Sequence, residues 1–135
     1  MWPPPLFRHR PRVTQLVGAI VVPVVFGAIC GAVLGAAQLG FNLLMLVAGI
    51  GGILGGFEHA TARDGALRGL VGGVLFAGPL LLAFEARGVP ALVPLPASLP
   101  VMAVIYAVSG MPLGALGGWL RARSEARRAR VVAGS

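Results

Sequence analysis

Charged residues are scarce in this chain. They make up 11% of its 135 residues, whereas 57% are hydrophobic, and a typical soluble domain has about 25% charged residues. A soluble fold needs polar side chains to cover its surface, but a protein surrounded by lipid does not. We therefore infer that a bilayer is the solvent of this chain, with an unusually apolar soluble domain as the alternative.

Acidic residues, histidine and cysteine are scarcer still. The chain has four acidic residues, two histidines and one cysteine, which is too few for most hydrolytic or group-transfer mechanisms. It contains no H-E-x-x-H motif, phosphate-binding loop or cysteine pair. We expect neither enzymatic activity nor a cofactor. A single cysteine, Cys30, cannot form an internal disulfide, so it does not identify the redox compartment.

Long apolar runs, in contrast, fill most of the sequence. About 20 apolar residues suffice for a helix that crosses a bilayer, and the chain predicts an all-α integral membrane four-helix bundle. A cleaved signal peptide is the alternative for the first run, but that run is too long and contains Pro23. The predicted spans are residues 13–36, 39–57, 67–85 and 99–120.

The arginines occupy the segments between and beyond these runs. A net charge of +7 is typical of nucleic-acid-binding proteins, but four spans place ten of the eleven arginines on one face of a membrane. Only Arg87 falls on the other face. Because cytoplasmic loops are rich in arginine, we expect a prokaryotic plasma-membrane protein with both termini in the cytoplasm and no nucleic-acid partner.

The cytoplasmic segments include a Pro-rich basic arm, a charged loop and a basic tail. They comprise residues 1–12, 58–66 and 121–135. We expect the tail to prolong the fourth helix and to contact anionic lipid headgroups, which attract basic residues near the surface; simple anchoring of the topology is the alternative. The candidate headgroup ligands are Arg121, Arg123, Arg127, Arg128 and Arg130.

Glycines recur at a spacing of four residues in every predicted span. This spacing places them on one helix face, where they allow neighbouring helix backbones to approach closely. The contacts predicted from it lie either within one bundle or between copies of the chain. The candidate packing residues are Gly27, Gly31 and Gly35, then Gly51 and Gly55, then Gly65, Gly69 and Gly73, and finally Gly110, Gly114 and Gly118.

Two further patterns concern the arrangement of the helices. Residues 52–57 match residues 114–119 at several positions, which is consistent with two similar helical hairpins in parallel repeat. Pro23, Pro79 and Pro112 lie inside predicted spans and are candidates for a hinge or for a mid-membrane cavity, since proline removes a backbone hydrogen bond and bends a helix. An ordinary structural kink is the alternative for each.

Few polar residues are candidates for chemistry. Glu58, His59 and Asp64 form the only cluster of metal-ligand types, but they lie at a predicted membrane boundary, where solvated polar residues are expected, and we predict no metal site. Ser109 is expected to bond to its own helix backbone. Ionisable residues inside a membrane mark transport pathways, and the sequence shows none deep in a span.

Two main functions are consistent with these features, and recruitment of acidic partners or lipid by the basic face is a third. The first is a non-enzymatic membrane protein that works through glycine-mediated helix association, either as a homo-oligomer or as a subunit of a larger membrane complex. The second is a small channel or transporter for ions or neutral solutes. The scarcity of intramembrane charge disfavours proton-coupled or cation-coupled transport.

Overall fold

The fold consists of four long helices. It is known from a computed structural model, which describes residues 5–92 and 98–134. The described part of the chain is helical and contains no strand. The first four residues of the predicted arm, part of the predicted loop before the fourth span and the last residue of the tail fall outside the described residues.

All four helices are long and apolar enough to cross a membrane. We number them α1 (Arg12–Leu34), α2 (Gln38–Phe57), α3 (Ala62–Arg87) and α4 (Leu99–Ala133). Large apolar side chains are exposed on the outer surface of all of them, for example Val25, Leu43, Val74 and Val104. In a water-soluble protein, apolar surface of this extent is rare, so the composition and the surface together indicate a membrane protein.

The helices begin and end close to the predicted limits, with one exception. The sequence predicted a charged loop over residues 58–66, whereas α3 already begins at Ala62. Thr61 explains the earlier start, because its hydroxyl accepts a hydrogen bond from the backbone N–H of Asp64 at 3.1 Å. A threonine in this position satisfies one of the free N–H groups at a helix N-terminus.

The end of α3 also follows from local chemistry. Gly88 ends α3 in the left-handed conformation, with φ of 60°, which glycine adopts without steric penalty. At the other end of the chain, α4 continues as one helix through the basic tail to Ala133, as the sequence predicted.

The helices pack as a central pair with one further helix on each member. The most extensive contact joins α3 to α4, while α1 packs on α3 and α2 packs on α4. Contacts between α1 and α2 are few. The apolar core lies near the turn that joins α1 and α2, where all four helices contribute side chains. Its fully buried members are Cys30, Leu34 and Leu80.

The two ends of the helices carry different connections. At one end, the backbone N–H of Phe7 donates to the carbonyl of Glu58 at 2.9 Å, and Gly118 of α4 lies against Thr61. At the other end, the N–H of Leu92 donates to the carbonyl of Leu34 at 3.2 Å. The arm, the α2–α3 loop and the start of the tail are therefore neighbours.

Candidate functional site: a cleft between the first two helices

A cleft of about 530 Å³ separates α1 from α2 over the half of the helices nearest the arm. The two helices diverge from their contact near the α1–α2 turn, and the α3–α4 pair forms the floor between them. Ligand-binding pockets usually have volumes of about 300–1,000 Å³ and predominantly apolar walls. Most residues that line this cleft are apolar or glycine, including Val22, Leu54 and Leu113.

Aromatic side chains form the deep end of the cleft. The rings of Phe26 and Phe76 lie 6.4 Å apart, and the rings of Phe76 and Tyr106 meet edge to face at 6.0 Å. These three residues come from α1, α3 and α4, so the cluster joins three helices at one level. Ser109, which also lines the cleft, donates its hydroxyl hydrogen to the carbonyl of Ile105 at 2.7 Å.

The N-terminal arm lies across the outer end of the cleft. Arg10 and Glu58 form an ion pair of 2.8 Å, and both residues line the cleft. The ring of Phe7 stacks on His59 with a centroid separation of 5.4 Å. The arm thus fastens the start of α1 to the end of α2, the two helices that the cleft separates.

A distorted turn of α1 exposes one backbone carbonyl to the cleft. Residues Val17–Val21 form a π-type turn, in which the N–H of Val22 bonds to the carbonyl of Val17. In this pattern the carbonyl of Gly18 would accept from residue 23, but residue 23 is proline and has no N–H. The helix itself therefore offers no donor to the Gly18 carbonyl.

Arg68 of α3 supplies the missing donor. Its Nη2 donates to the Gly18 carbonyl at 2.6 Å, and Gly72 leaves room beside it, because an added Cβ there would lie 2.9 Å from the Arg68 Nη1. The side chain of Arg68 is half-buried and lines the cleft. Arg68 of α3 thus replaces the hydrogen-bond donor that Pro23 removes from α1.

The position of Arg68 differs from the one that the sequence predicted. Because Arg68 closely follows the charged loop, the sequence predicts that it lies at the membrane boundary with the other arginines. The sequence also predicts no ionisable residue deep in a span. In the structure Arg68 lies six residues after the start of α3, about 9 Å along the helix axis, and bonds to a residue six positions inside α1. Its guanidinium therefore lies within the helical layer.

The predicted packing glycines of α1 lie against α3. A Cβ added at Gly27 would overlap the carbonyl of Phe76, and one at Gly31 would overlap the carbonyl of Leu80. Gly35 lies against the side chain of Val89. Gly27 and Gly31 thus bring the backbones of α1 and α3 into direct contact within one chain.

The predicted packing glycines of α3 and α4 lie against each other. Any side chain at these positions would overlap the backbone of the opposite helix, which explains why α3 and α4 form the most extensive contact. Gly118 lies against the carbonyl of Thr61. The facing pairs are Gly65 with Gly114, Gly69 with Gly110, and Gly73 with Ala107.

Gly51 and Gly55 of α2 differ from the other predicted packing glycines. Within the described part of the chain, no atom beyond the helix's own backbone and adjacent residues lies within 4 Å of a Cβ added at either position, and both residues line the cleft. Their neighbour Gly56 instead packs on the carbonyl of Gly114. This contact joins the two segments whose sequences match, although their similarity as a repeat stays a prediction.

The three prolines that were predicted as hinge candidates lie in different surroundings. Pro23 follows the π-type turn at the cleft wall, whereas Pro79 and Pro112 lie inside α3 and α4, which continue as helices through them. Of the three hinge candidates, Pro23 is the one that lines the cleft. Hinge motion at any of them stays a prediction.

The tail arginines are not equivalent. Arg121 is buried, with 5% of its surface exposed, and its guanidinium lies 5.7 Å from the centre of the Phe57 ring and bonds to Glu125. The guanidinium of Arg123 lies 5.1 Å from the centre of the Trp119 ring. The candidate headgroup ligands that are exposed are Arg123, Arg127, Arg128 and Arg130.

The three candidate metal-ligand residues near the α2–α3 loop have separate partners. Glu58 pairs with Arg10, Nδ1 of His59 lies 3.1 Å from the carbonyl oxygen of Gly55, and Asp64 accepts a hydrogen bond from the Thr61 hydroxyl. Over residues 5–92 and 98–134, no group of three His, Cys, Asp or Glu side chains is placed to hold a metal ion.

Sequence patterns alone did not reveal the cleft or the role of Arg68. The one available signal was the combination of Pro23 in a predicted helix with an arginine beyond the charged loop, but pairing them requires knowing that α1 lies against α3. Comparison with known proteins adds no assignment, because no family model, characterised protein or solved structure matches this chain.

Proposed function

We propose that this chain is a non-enzymatic four-span membrane protein that binds a lipid-soluble molecule in the cleft between α1 and α2. The observation that carries the proposal is the cleft itself, which has an apolar lining, an aromatic deep end and a polar outer end. Binding of a solute at such a site is also the first step of a small transporter, the second function that the sequence allowed.

The arginine distribution supports a cytoplasmic position for the outer end of the cleft. The arm, the α2–α3 loop and the tail meet at that end, and Arg87 lies at the opposite end, where it donates to the carbonyl of Ala32. Positive residues favour the cytoplasmic side. In this orientation the exposed tail arginines face anionic lipid headgroups, and the cleft opens toward the cytoplasmic leaflet.

Glu58 supports a binding role in preference to catalysis. It is the one carboxylate that lines the cleft within the described residues, and it is held by Arg10 in an ion pair. General acid–base catalysis needs a group that exchanges a proton with the substrate, and a carboxylate held by an arginine is poorly suited to that task.

Occupancy of the cleft can be tested with a neutral alkyl diazirine in nanodiscs of phosphatidylcholine. After illumination, we expect saturable cross-links at Phe76 and Tyr106. The variant Gly51→Leu/Gly55→Leu should lose them, because both side chains would project into the cleft without striking a backbone. Gly78→Leu is the matched control: it too adds a side chain in open space, but Gly78 does not line the cleft. Cross-linking that never saturates would contradict the proposal.

Helix association is the second candidate, and the uncovered pair Gly51 and Gly55 favours it. A helix of another copy could lie on these glycines, since small residues promote close contact in membranes. In that case the same double variant would reduce the oligomer size in mild detergent, as measured by light scattering during size-exclusion chromatography. An unchanged size would assign the two glycines to the cleft alone.

A further inference from the structure

We propose that the ligand of the cleft is a single-chain amphiphile with an anionic headgroup, drawn from the bilayer and bound at Arg68. The inference rests on the proposed binding function and specifies its ligand class. Three features carry it: a positive charge inside an apolar cleft, donor groups on that charge that the protein leaves available, and an apolar path of suitable length.

The charge balance of the cleft favours an anion. Its described lining contains Arg10, Arg68 and Glu58 as charged residues, and Glu58 pairs with Arg10. Arg68 also interacts electrostatically with Glu58, but that carboxylate forms its ion pair with Arg10, so the described lining keeps one positive charge in excess. The hydrogen-bond acceptor of Arg68 is the neutral Gly18 carbonyl. A charged side chain within a membrane is costly unless it is paired, and an anionic headgroup would provide the opposite charge.

The geometry of Arg68 leaves donors for a ligand. A guanidinium has five N–H groups in a planar fork, and one nitrogen, Nη2, is engaged with Gly18. That hydrogen bond also fixes the orientation of the side chain, so the remaining N–H groups are held in position before a ligand arrives. Charge-assisted hydrogen bonds from such a fork to a carboxylate or phosphate are stronger than neutral ones.

The apolar part of the cleft accommodates one alkyl chain. Arg68 and Phe76 both line it and are separated by eight residues of α3, which corresponds to about 12 Å along the helix axis. The path leads from the guanidinium to the aromatic cluster of Phe26, Phe76 and Tyr106. A volume of about 530 Å³ suits a ligand of drug size and is too small for a phospholipid with two chains.

The structural role of Arg68 must be separated from binding. Arg68→Leu leaves the partly buried Gly18 carbonyl without its donor, and a backbone carbonyl left unsatisfied away from water destabilises the fold. Pro23→Ala restores an N–H to α1 and allows a regular helix. In Pro23→Ala/Arg68→Leu, we therefore expect thermal stability to return to that of Pro23→Ala alone, whereas binding of the anion should not return.

The test measures equilibrium binding of radiolabelled decanoate in neutral phosphatidylcholine nanodiscs, with decanol as a competitor of equal chain length. We expect one saturable site per chain and competition by decanol at least about tenfold weaker than by unlabelled decanoate. Arg68→Leu and the double variant should both lose this preference for the acid. Gly78→Leu, with its added side chain outside the cleft, should keep it.

The outcomes separate the two proposals. Saturable binding without a preference for the acid would overturn the inference and leave the proposed binding function standing. Recovery of the acid preference in the double variant would also overturn it, because Arg68 would then act through the helix alone. Absence of saturable binding by either probe, together with unsaturable diazirine cross-linking, would overturn the proposed function itself.

Discussion

At the scale of single residues, the glycines of this chain have two distinct structural roles. Some lie where a methyl group would overlap the backbone of a neighbouring helix, as at Gly31 and Gly114. Others, such as Gly51 and Gly55, face open space. Both kinds occur at the same spacing in the sequence, so spacing predicts a glycine face but not which other helix covers it.

Alanine substitutions should separate these two roles. Gly31→Ala and Gly114→Ala must push apart helix backbones that are in direct contact, and overpacking of this kind costs about 1–3 kcal/mol. Gly55→Ala and Gly78→Ala meet no atom and improve helix propensity, so they should leave stability unchanged or slightly higher. The measurement is thermal unfolding in mild detergent, followed by circular dichroism.

A similar loss of stability in all four variants would contradict this assignment. The substitutions at Gly31 and Gly114 test the fold of one chain, since the backbones they contact belong to that chain. The second candidate function instead predicts an effect on assembly between chains at Gly51 and Gly55, the two predicted packing glycines that no other part of the described chain covers.

Arg68 shows why part of the site could not be predicted from sequence. Hydropathy identified the four helices, since a membrane-spanning helix requires a long apolar run. The hydrogen bond from Arg68 to Gly18 joins residues 50 positions apart and depends on which helix lies beside α1. A side chain near the end of a helix can extend toward water or toward a neighbour, and sequence alone does not distinguish these directions.

At the scale of whole elements, local chemistry predicts where a helix ends better than it predicts which helices pack against each other. Thr61 and Asp64 form a helix-capping pair that is visible in the sequence. The charged residues around this pair nevertheless favour a loop over residues 58–66, although α3 begins at Ala62. The sequence does not predict which helices make the most extensive contacts, because short connections require only that consecutive helices lie near each other. Here α1 packs on α3 more extensively than on α2, and this arrangement creates the cleft.

The arm is attached partly through an ion pair that a single substitution removes. Its ion pair joins Arg10 and Glu58, which retain 27% and 23% of their side-chain exposure, and ion pairs at exposed sites contribute up to about 1 kcal/mol. Glu58→Gln removes this pair but keeps the backbone hydrogen bond from Phe7. We expect amide hydrogen exchange in a peptide covering residues 5–11 to accelerate up to about fivefold.

Glu85→Gln is the matched control for this variant. Glu85 is exposed near the end of α3, at the opposite end of the helices, so its substitution should leave exchange in the arm unchanged. Equal exchange in wild type and Glu58→Gln would show that the stacking of Phe7 on His59 and the backbone hydrogen bond hold the arm without the ion pair.

At the scale of the whole molecule, one physical constraint organises the others. Four apolar helices joined by short connections form alternating crossings, so the arm, the α2–α3 loop and the tail share one end. That end carries the basic segments and the outer end of the cleft. Because positive residues favour the cytoplasmic side, we expect this end to face the anionic cytoplasmic leaflet, from which the ligand proposed at Arg68 would enter the cleft.

Cysteine labelling tests this orientation directly. Native Cys30 is fully buried and is replaced in a Cys30→Ala background, which should itself remain unlabelled. Single cysteines are then introduced by His9→Cys, Ala36→Cys and Ala133→Cys, all at exposed positions. A membrane-impermeant maleimide should label the cysteine at position 36 in spheroplasts, and those at positions 9 and 133 only in inside-out vesicles.

Because an even number of crossings returns the chain to its starting side, labelling of positions 9 and 133 from opposite sides would refute the four-span topology. Labelling of both from outside would keep the four spans but reverse the orientation on which access to the cytoplasmic leaflet depends.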